Sequence, residues 1–391
     1  MASGTAAGEV LELPQFKGRP GWEFTDLTGF DLTGYAPVSG PDAEEATPTE
    51  PLFELQDAES LPDGVIVTSI AQASEEHGEL VRRHLGSVVT ADDIFTILND
   101  AADYRSGAFV YVPKGVAVEQ PISLRTIQAK AGTLLHQRTL IVLEEGAQAE
   151  IWEQYLSADE ELDGVVNVIT ELVVSDNAHL RYVSGQNLSE KSWIFGAQRA
   201  EVGRDASLDW VALGFGSARG RVRMETRLGG QGADARVTGA YATHGRQHID
   251  FDTTQEHAAP NTTSDLAFRG VLQGRSTAVW KGNIIVDPGA QKTDAFQESR
   301  NLLISKRAHA DAIPGLENQA NDVRCTHAAA VAQVDPEQLF YLRSHGLGDE
   351  VAKRLVIEGF LAALVERFEA GPVRDVLAQA LDRRLELVLN V

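Results

Sequence analysis

The chain is poor in the residues that build redox and metal centres unaided: its 391 residues include one cysteine, Cys325, and two methionines. A single thiol excludes an intrachain disulfide, and it excludes any zinc or iron–sulfur site completed by cysteines of one chain. Long apolar runs are also missing. No segment approaches the roughly 20 consecutive apolar residues that a membrane helix needs. Basic residues are scarce, with 34 Lys and Arg against 57 Asp and Glu and a net charge of −23, a field that disfavours nucleic acid and anionic lipid. Met1 to Pro14 holds no basic residue and no continuous apolar stretch, so it lacks the parts of a secretory signal and the chain is expected in the cytoplasm. No phosphate loop and no Gly-x-Ser-x-Gly nucleophile elbow occurs, and Gly229-Gly230-Gln231-Gly232 lies between strand-like pieces instead of opening a helix.

What is present is a folded interior. Apolar residues make up 43% of the chain and charged residues 23%, and the length calls for two or three units or one elongated repeat domain. The first twenty residues are small, polar and punctuated by Gly and Pro, so a mobile tip is expected. The aromatic cluster Trp22, Phe24 and Phe30 follows, then a stretch from Pro37 to Pro51 rich in Pro and acidic residues. Helical periodicity runs from Thr68 to Leu85, and a second helix fits Ala91 to Ala102.

Near Gly107 the apolar period changes from 3.6 to 2, and short β-type segments continue to about Val334. A polar turn followed by alanine recurs as Glu145-Gly146-Ala147, Asp176-Asn177-Ala178, Arg204-Asp205-Ala206 and Gln231-Gly232-Ala233, with alanine intervals of 31, 28 and 27; Lys306-Arg307-Ala308 reads as a later, less regular copy. Apolar residues flank each turn on both sides, and a coil of this size buries them only by stacking on its neighbours. A parallel β-helix is therefore expected over 106–334, after an N-terminal tail and helical region over 1–105. An antiparallel sandwich or jelly roll with coincidental turn spacing is the alternative. From Asp335 the pattern is helical again: Asp335 as N-cap, Pro336 at the first helical position and Gln338 as partner in a capping box. Leu339, Phe340 and Leu342 give this helix an apolar face, and His345-Gly346 ends it. A second helix from Asp349 carries Leu355, Val356, Phe360, Leu361, Leu364 and Phe368, and a third follows Gly371-Pro372. Their apolar excess implies docking of 335–391 on the β-body or on another protein.

Three groups of side chains invite chemistry. His244, His248 and His257 with Asp250 and Asp252 occupy a loop-like passage from Thr243 to Pro260, and could hold a divalent metal or simply satisfy loop backbone. Asp250, Asp252 or Glu256 could serve a carbohydrate-active β-helix enzyme. Cys325 and His327 are sharper, because residues i and i+2 of a strand project from one face and can reach one ion; Arg324 beside the thiol would favour thiolate. A buried filler cysteine with a packed histidine is the plainer reading of the same pair.

The ordered strings His257–Asp265, Pro288–Ala295, Ser299–Leu303, Asp322–His327 and Leu339–Gly346 closely resemble the SufB/SufD family of the SUF iron–sulfur assembly system. The resemblance is strong from about Phe109 to Phe360 and weaker at Trp22–Leu27. It implies a mainly β fold, a right-handed parallel β-helix flanked by N- and C-terminal helical regions. It further implies a non-catalytic scaffold that pairs with SufB and docks the SufC ATPase through its C-terminal helices, with Leu339, Phe340, Leu342, Leu355 and Phe360 as the contact residues. ATP would then act only through SufC, whose closure would pull on the helices and expose the interface.

By resemblance, His327 matches the family histidine proposed to take part in cluster formation at the SufB–SufD interface, as the metal ligand, and Cys325 matches the nearby cysteine. A transient cluster or iron would be shared with SufB; the sequence leaves open whether a reduced flavin takes part and whether the chain alone forms a homodimer. Ser299 stands in the strip where SufB carries an essential cysteine, which argues for the SufD role. Thr326 and Ala328 depart from the Ser and Gly more often found there. A purely structural homodimeric scaffold, in which His327 is packing, is the competing reading.

Overall fold

The computed structural model of the chain describes residues 13, 21–39, 52, 60–102 and 107–389. The expected mobile tip, apart from Leu13, and most of Pro37–Pro51 lie outside the described residues.

Two parallel sheets face one another across a single core and form a solenoid of about eight turns. N-terminal to the coils lie β1 (Ala36–Ser39), β2 (Ile66–Ser69), α1 (Ile70–Glu76), α2 (Gly78–His84) and α3 (Ile94–Ala101). The coils begin with β3 (Ala108–Val112), β4 (Ile122–Gln128), β5 (Thr133–Leu143), β6 (Gln148–Ser157), β7 (Gly164–Val174), β8 (His179–Asn187), β9 (Trp193–Val202) and β10 (Ser207–Gly214). They continue through β11 (Arg219–Leu228), β12 (Asp234–Thr243), β13 (His248–His257), β14 (Thr263–Leu272), β15 (Thr277–Val286), β16 (Asp294–Leu303), β17 (His309–Asn318) and β18 (Arg324–Gln333). Odd-numbered strands from β3 build the first sheet and even-numbered ones the second. Every pairing between coils is parallel, which excludes the sandwich and jelly-roll alternative; β2 against β3 is the antiparallel exception at the first edge.

The alanine repeat has a stereochemical cause. Gly146, Asn177, Asp205 and Gly232 all have positive φ, a conformation open to Gly and tolerated by Asn and Asp. Each donates its N–H to a turn carbonyl of the next coil, as from Asn177 to Arg204 at 2.8 Å and from Asp205 to Gln231 at 3.0 Å. The residue that follows points into the core, where Ala147, Ala178, Ala206 and Ala233 are all buried. Two further coils share this corner with threonine in place of alanine: Asn261-Thr262 and Lys292-Thr293, again with positive φ at the first residue. Both hydroxyls are buried and donate to carbonyls three residues back, at 3.1 Å to Ala259 and 2.9 Å to Ala290. Lys306-Arg307-Ala308 is not a member of this series. It joins β16 to β17 and so lies at the opposite corner.

Side chains alternate along each strand between the core and the outer faces. The core is built on Tyr182, Trp210, Tyr241, Phe251, Phe268 and Trp280 with the corner alanines. It also holds Glu153, which accepts from Thr139 Oγ1 at 2.6 Å and from the Tyr182 hydroxyl, and whose carboxyl is pushed up by burial. The outer face of the first sheet is covered by the N-terminal region: Trp22, Phe30 and Phe95 pack on Phe195. Helical periodicity from Thr68 resolves into α1 and α2, broken at His77, whereas β1 was not signalled by the sequence. That strand and β3 lie end to end along β5.

The C-terminal helices are α4 (Pro336–Ser344), α5 (Asp349–Val365) and α6 (Pro372–Leu389). Ile357, Leu361, Leu364, Phe368, Leu377 and Leu381 pack against Trp152, Val183, Val211 and Leu213 on the outer face of the second sheet, so most of the apolar excess is used within the chain. Arg384, buried on α6, donates to Ala242 O at 2.9 Å and Gln247 Oε1 at 2.8 Å and fixes this docking. At the start of α4 the Asp335 carboxylate caps through Glu337 N–H at 2.8 Å, without the reciprocal bond of a capping box.

Ala206→Leu, which forces three carbons into a filled corner, is expected to cost about 1–3 kcal/mol, read as a lower urea midpoint with an unchanged slope. Arg384→Met removes the side-chain donor to Ala242 O and one of the two donors to Gln247 Oε1, which keeps the His244 N–H, and is expected to cost about 1–3 kcal/mol; faster proteolysis of α5 and α6 than of the β-body would check that the loss is local.

Candidate functional site at the open end of the solenoid

A stacked coil is closed above and below only if another coil follows it. The last coil, β17 and β18, has a neighbour on one side, β15 and β16. Burial falls accordingly: alternate residues of β16 are buried, while β18 has none buried and is exposed at eight of its ten positions. Both sheets thus end in strands whose outer backbone edge is unpaired, and the core columns open to solvent there.

Register places Cys325 beside Ala295 and His327 beside Gln297. Since Ala295 and Gln297 point into the core, the Cys325 and His327 side chains lie in core columns of a coil that has no lid. His327 is exposed; Cys325 is half-buried against Ile284, Val286 and Ala295. The thiol is pushed up by burial and, next, by the Asp294 carboxylate. The expectation that Arg324 would favour thiolate is therefore corrected: its guanidinium lies 3.3 Å from Asp294, which takes up its charge, so the thiol stays protonated until a metal ion or another cation displaces the proton. Ser299, two residues on from Gln297 in β16, is buried and accepts from Asn301 Nδ2 at 3.4 Å.

The other candidates are structural. Thr243–Pro260 is not a loop: most of it is β13, whose alternation sends His257 inward and His248, Asp250, Asp252 and Glu256 outward. His257 is fully buried between Thr262 Oγ1 at 2.8 Å and Ser264 Oγ at 2.9 Å. His248 and Asp250 are covered by Thr25, whose hydroxyl donates to Asp250 at 2.6 Å. His244 Nε2 lies 2.6 Å from Glu190. Asp252 pairs with Arg221 at 2.8 Å, and Glu256 with Arg227 at 2.9 Å, so the acids needed for glycosidic chemistry are neutralised in an arginine ladder. Among the described residues no three His, Cys, Asp or Glu side chains converge on a metal position. Cys325 and His327 are two metal-capable side chains on one face of β18, with no third beside them among the described residues.

The predicted contact residues of the C-terminal helices divide. Phe340 is 68% exposed and its neighbour Tyr341 62%; α4 has no buried residue. Leu339 and Leu342 are half-buried, and Leu355 is exposed. Phe360 instead faces the β-body, with the Arg269 guanidinium 5.0 Å from its ring centre. No helix among the described residues is long and apolar enough to cross a membrane.

Comparison with known proteins places this geometry. The domain described as "SUF system FeS cluster assembly, SufBD core domain" matches residues 125–360, and the SufBD N-terminal region matches 52–124. The chain belongs to the SufBD family. It is 34% identical over 326 residues to the iron–sulfur cluster assembly protein SufD of Bacillus subtilis, an alignment covering 83% of this chain and 74% of the relative. Iron–sulfur cluster assembly SufBD family proteins of Mycobacterium leprae and Mycobacterium tuberculosis are 27% and 28% identical over 92% of this chain, covering 94% and 92% of their own lengths. The SufBD core match thus begins in β4 and ends in α5, and includes the open end with Cys325 and His327.

Burial holds His257 neutral, with its pKa pushed down to about 4. A folded-state value below the unfolded one near 6.5 means that this histidine's contribution is fully present above pH 6.5 and is lost as pH falls towards 4. His257→Gln should flatten the fall in unfolding free energy between pH 6.5 and 4 by up to about 1.4 kcal/mol per pH unit, the slope of one proton, in urea titrations across that range.

Proposed function

We propose that this SufBD family protein is a non-catalytic scaffold subunit on which a nascent iron–sulfur cluster forms at a seam with a paralogous SufB chain. The observation that carries the reading is the unlidded last coil, which leaves Cys325 and His327 on core columns facing outward beside two unpaired sheet edges. A partner of the same architecture can add its own end strands to β17 and β18, so that main-chain hydrogen bonds give affinity and its thiols complete the ligand set. Iron–sulfur clusters usually take about four protein ligands, of which this chain offers the Cys325 sulfur and the His327 imidazole. A neutral nitrogen ligand raises the potential of a cluster relative to an all-thiolate set, and its weaker hold suits a scaffold that must release its cargo.

The exposed face of α4 around Leu339, Phe340 and Leu342, with Leu355 of α5, is the surface on which the SufC ATPase would dock, and ATP would act on this chain only through it. Because α5 and α6 are bolted to the outer face of the second sheet through Arg384 and the cluster around Leu361, movement of an ATPase on α4 would be carried to the β-body. A homodimer through the same edges is the state in which the chain would wait for SufB.

Co-expression with SufB and SufC followed by anaerobic iron and sulfide analysis tests the reading. His327→Ala is expected to leave assembly of the complex intact and to remove most of the bound iron and sulfide; full retention of both would end the ligand role. Phe340→Asp with Leu355→Asp, at exposed positions where folding is insensitive, is expected to abolish SufC co-purification while SufB is retained.

A further inference from the structure

Beneath His327 the last closed layer of the core contains an amide whose position is fixed at one end only. Gln297 is fully buried, and its Nε2 donates to Gly282 O at 3.3 Å and to Gly315 O at 3.0 Å. Those carbonyls belong to β15 and β17, the last two strands of the opposite sheet, so the side chain crosses the core and stands at the level of the gap between the last two coils. Two carbonyls at the nitrogen settle the amide's orientation, since an oxygen there would meet like charge. Its Oε1 is then left buried without a donor. A buried acceptor without a donor forfeits its hydration with nothing in exchange, and such an atom in a native core asks for an account.

The packing around this amide is specific. A Cβ on Gly282 would collide with the Trp280 ring and come within 2.7 Å of Gln297 Oε1, so glycine at 282 makes the room that the amide occupies. The in-register neighbour of Gln297 on the open side is His327, roughly 4.8 Å away along the stack. Other core positions of β18 near it are Cys325, Ala329 and Val331; alanine and valine carry no side-chain donor, and the Cys325 thiol, in register with Ala295 and not with Gln297, is a weak one. His327 is the in-register side chain of β18 that carries an N–H on the open side of the orphan oxygen; Trp280 Nε1, whose ring lies by Gly282 on the closed side, is also buried without an acceptor and makes no hydrogen bond to it.

We propose that Gln297 is a positioning residue for His327: its Oε1 accepts the Nδ1–H of the imidazole, which holds the ring in the Nδ1–H tautomer and turns the Nε2 lone pair out of the mouth. The inference rests on the scaffold reading for its purpose but not for its test. Histidines that bind metal through one nitrogen are commonly oriented by an acceptor on the other, and removal of that acceptor costs on the order of tenfold or more in metal affinity. Here the acceptor comes from the neighbouring coil and is itself anchored to the opposite sheet.

Nitrogen-15 histidine labelling of the full chain, with long-range proton–nitrogen correlation spectra at pH 8, reads the tautomer directly. The His327 signals are identified by their loss in His327→Ala, and the other nine histidines of the ten report that each variant is folded. The wild type is expected in the Nδ1–H form, Gln297→Leu in the Nε2–H form that free imidazole prefers, and Gln297→Glu, which keeps an acceptor oxygen, in the Nδ1–H form again. A wild-type His327 in the Nε2–H form overturns the proposal even if Gln297→Leu fails to fold, as does a tautomer unchanged by Gln297→Leu or a loss of the Nδ1–H form in Gln297→Glu. The measurement uses no iron and no partner, so its outcome is independent of the cluster analysis with His327→Ala.

Discussion

The structure depends on one constraint: a coil of this solenoid cannot shield its own apolar side chains and must have a neighbour on each side. The constraint sets the pairing of every strand from β4 to β16, and it makes the turns repeat, because a carbonyl at one corner needs an N–H at the same height in the adjacent coil. Asn177, Asp205 and Gly232 differ chemically yet share one backbone conformation, and a small buried residue follows each. Sequence divergence is absorbed on the surface of the corner, while its backbone and its inward atom are held.

At the C-terminal end the same constraint is left unmet. β17 and β18 are paired in the register of core strands but keep one buried residue between them, Ala310, so residues that would be interior elsewhere become a surface with the chemistry of a core. The N-terminal end differs, since β2 closes against β3 in the antiparallel sense and α1 packs beside it. Each flanking region has its own sheet: the N-terminal aromatics lie on the outer face of the first, and α5 and α6 on the outer face of the second. The mouth is left without cover from this chain's described residues.

Much of this organisation was legible in the sequence. The change of period near Gly107, the alanine turns and the Asp335-Pro336 signal located the β-body and the helix after it, and the i, i+2 spacing put Cys325 and His327 on one face. What stayed hidden had physical causes. Thr262 and Thr293 fill the alanine position because their hydroxyls find carbonyls within the turn, a substitution that no count of small residues detects. His248 and Asp250 looked like ligands because spacing cannot reveal that Thr25, over two hundred positions away, covers them. Gln297 carried no signal at all, since its interest comes from the atom above it in the stack.

Coil-by-coil construction has a consequence for how such a chain can change over evolutionary time. A single inserted residue inside a strand would exchange its inward and outward faces, but a whole turn of about thirty residues can be gained or lost with only local accommodation. The mouth is made by whichever turn comes last. Lineages of this architecture are therefore free to drift in height while keeping an unaltered rim, and any counterpart that fits the rim need not follow the change in length.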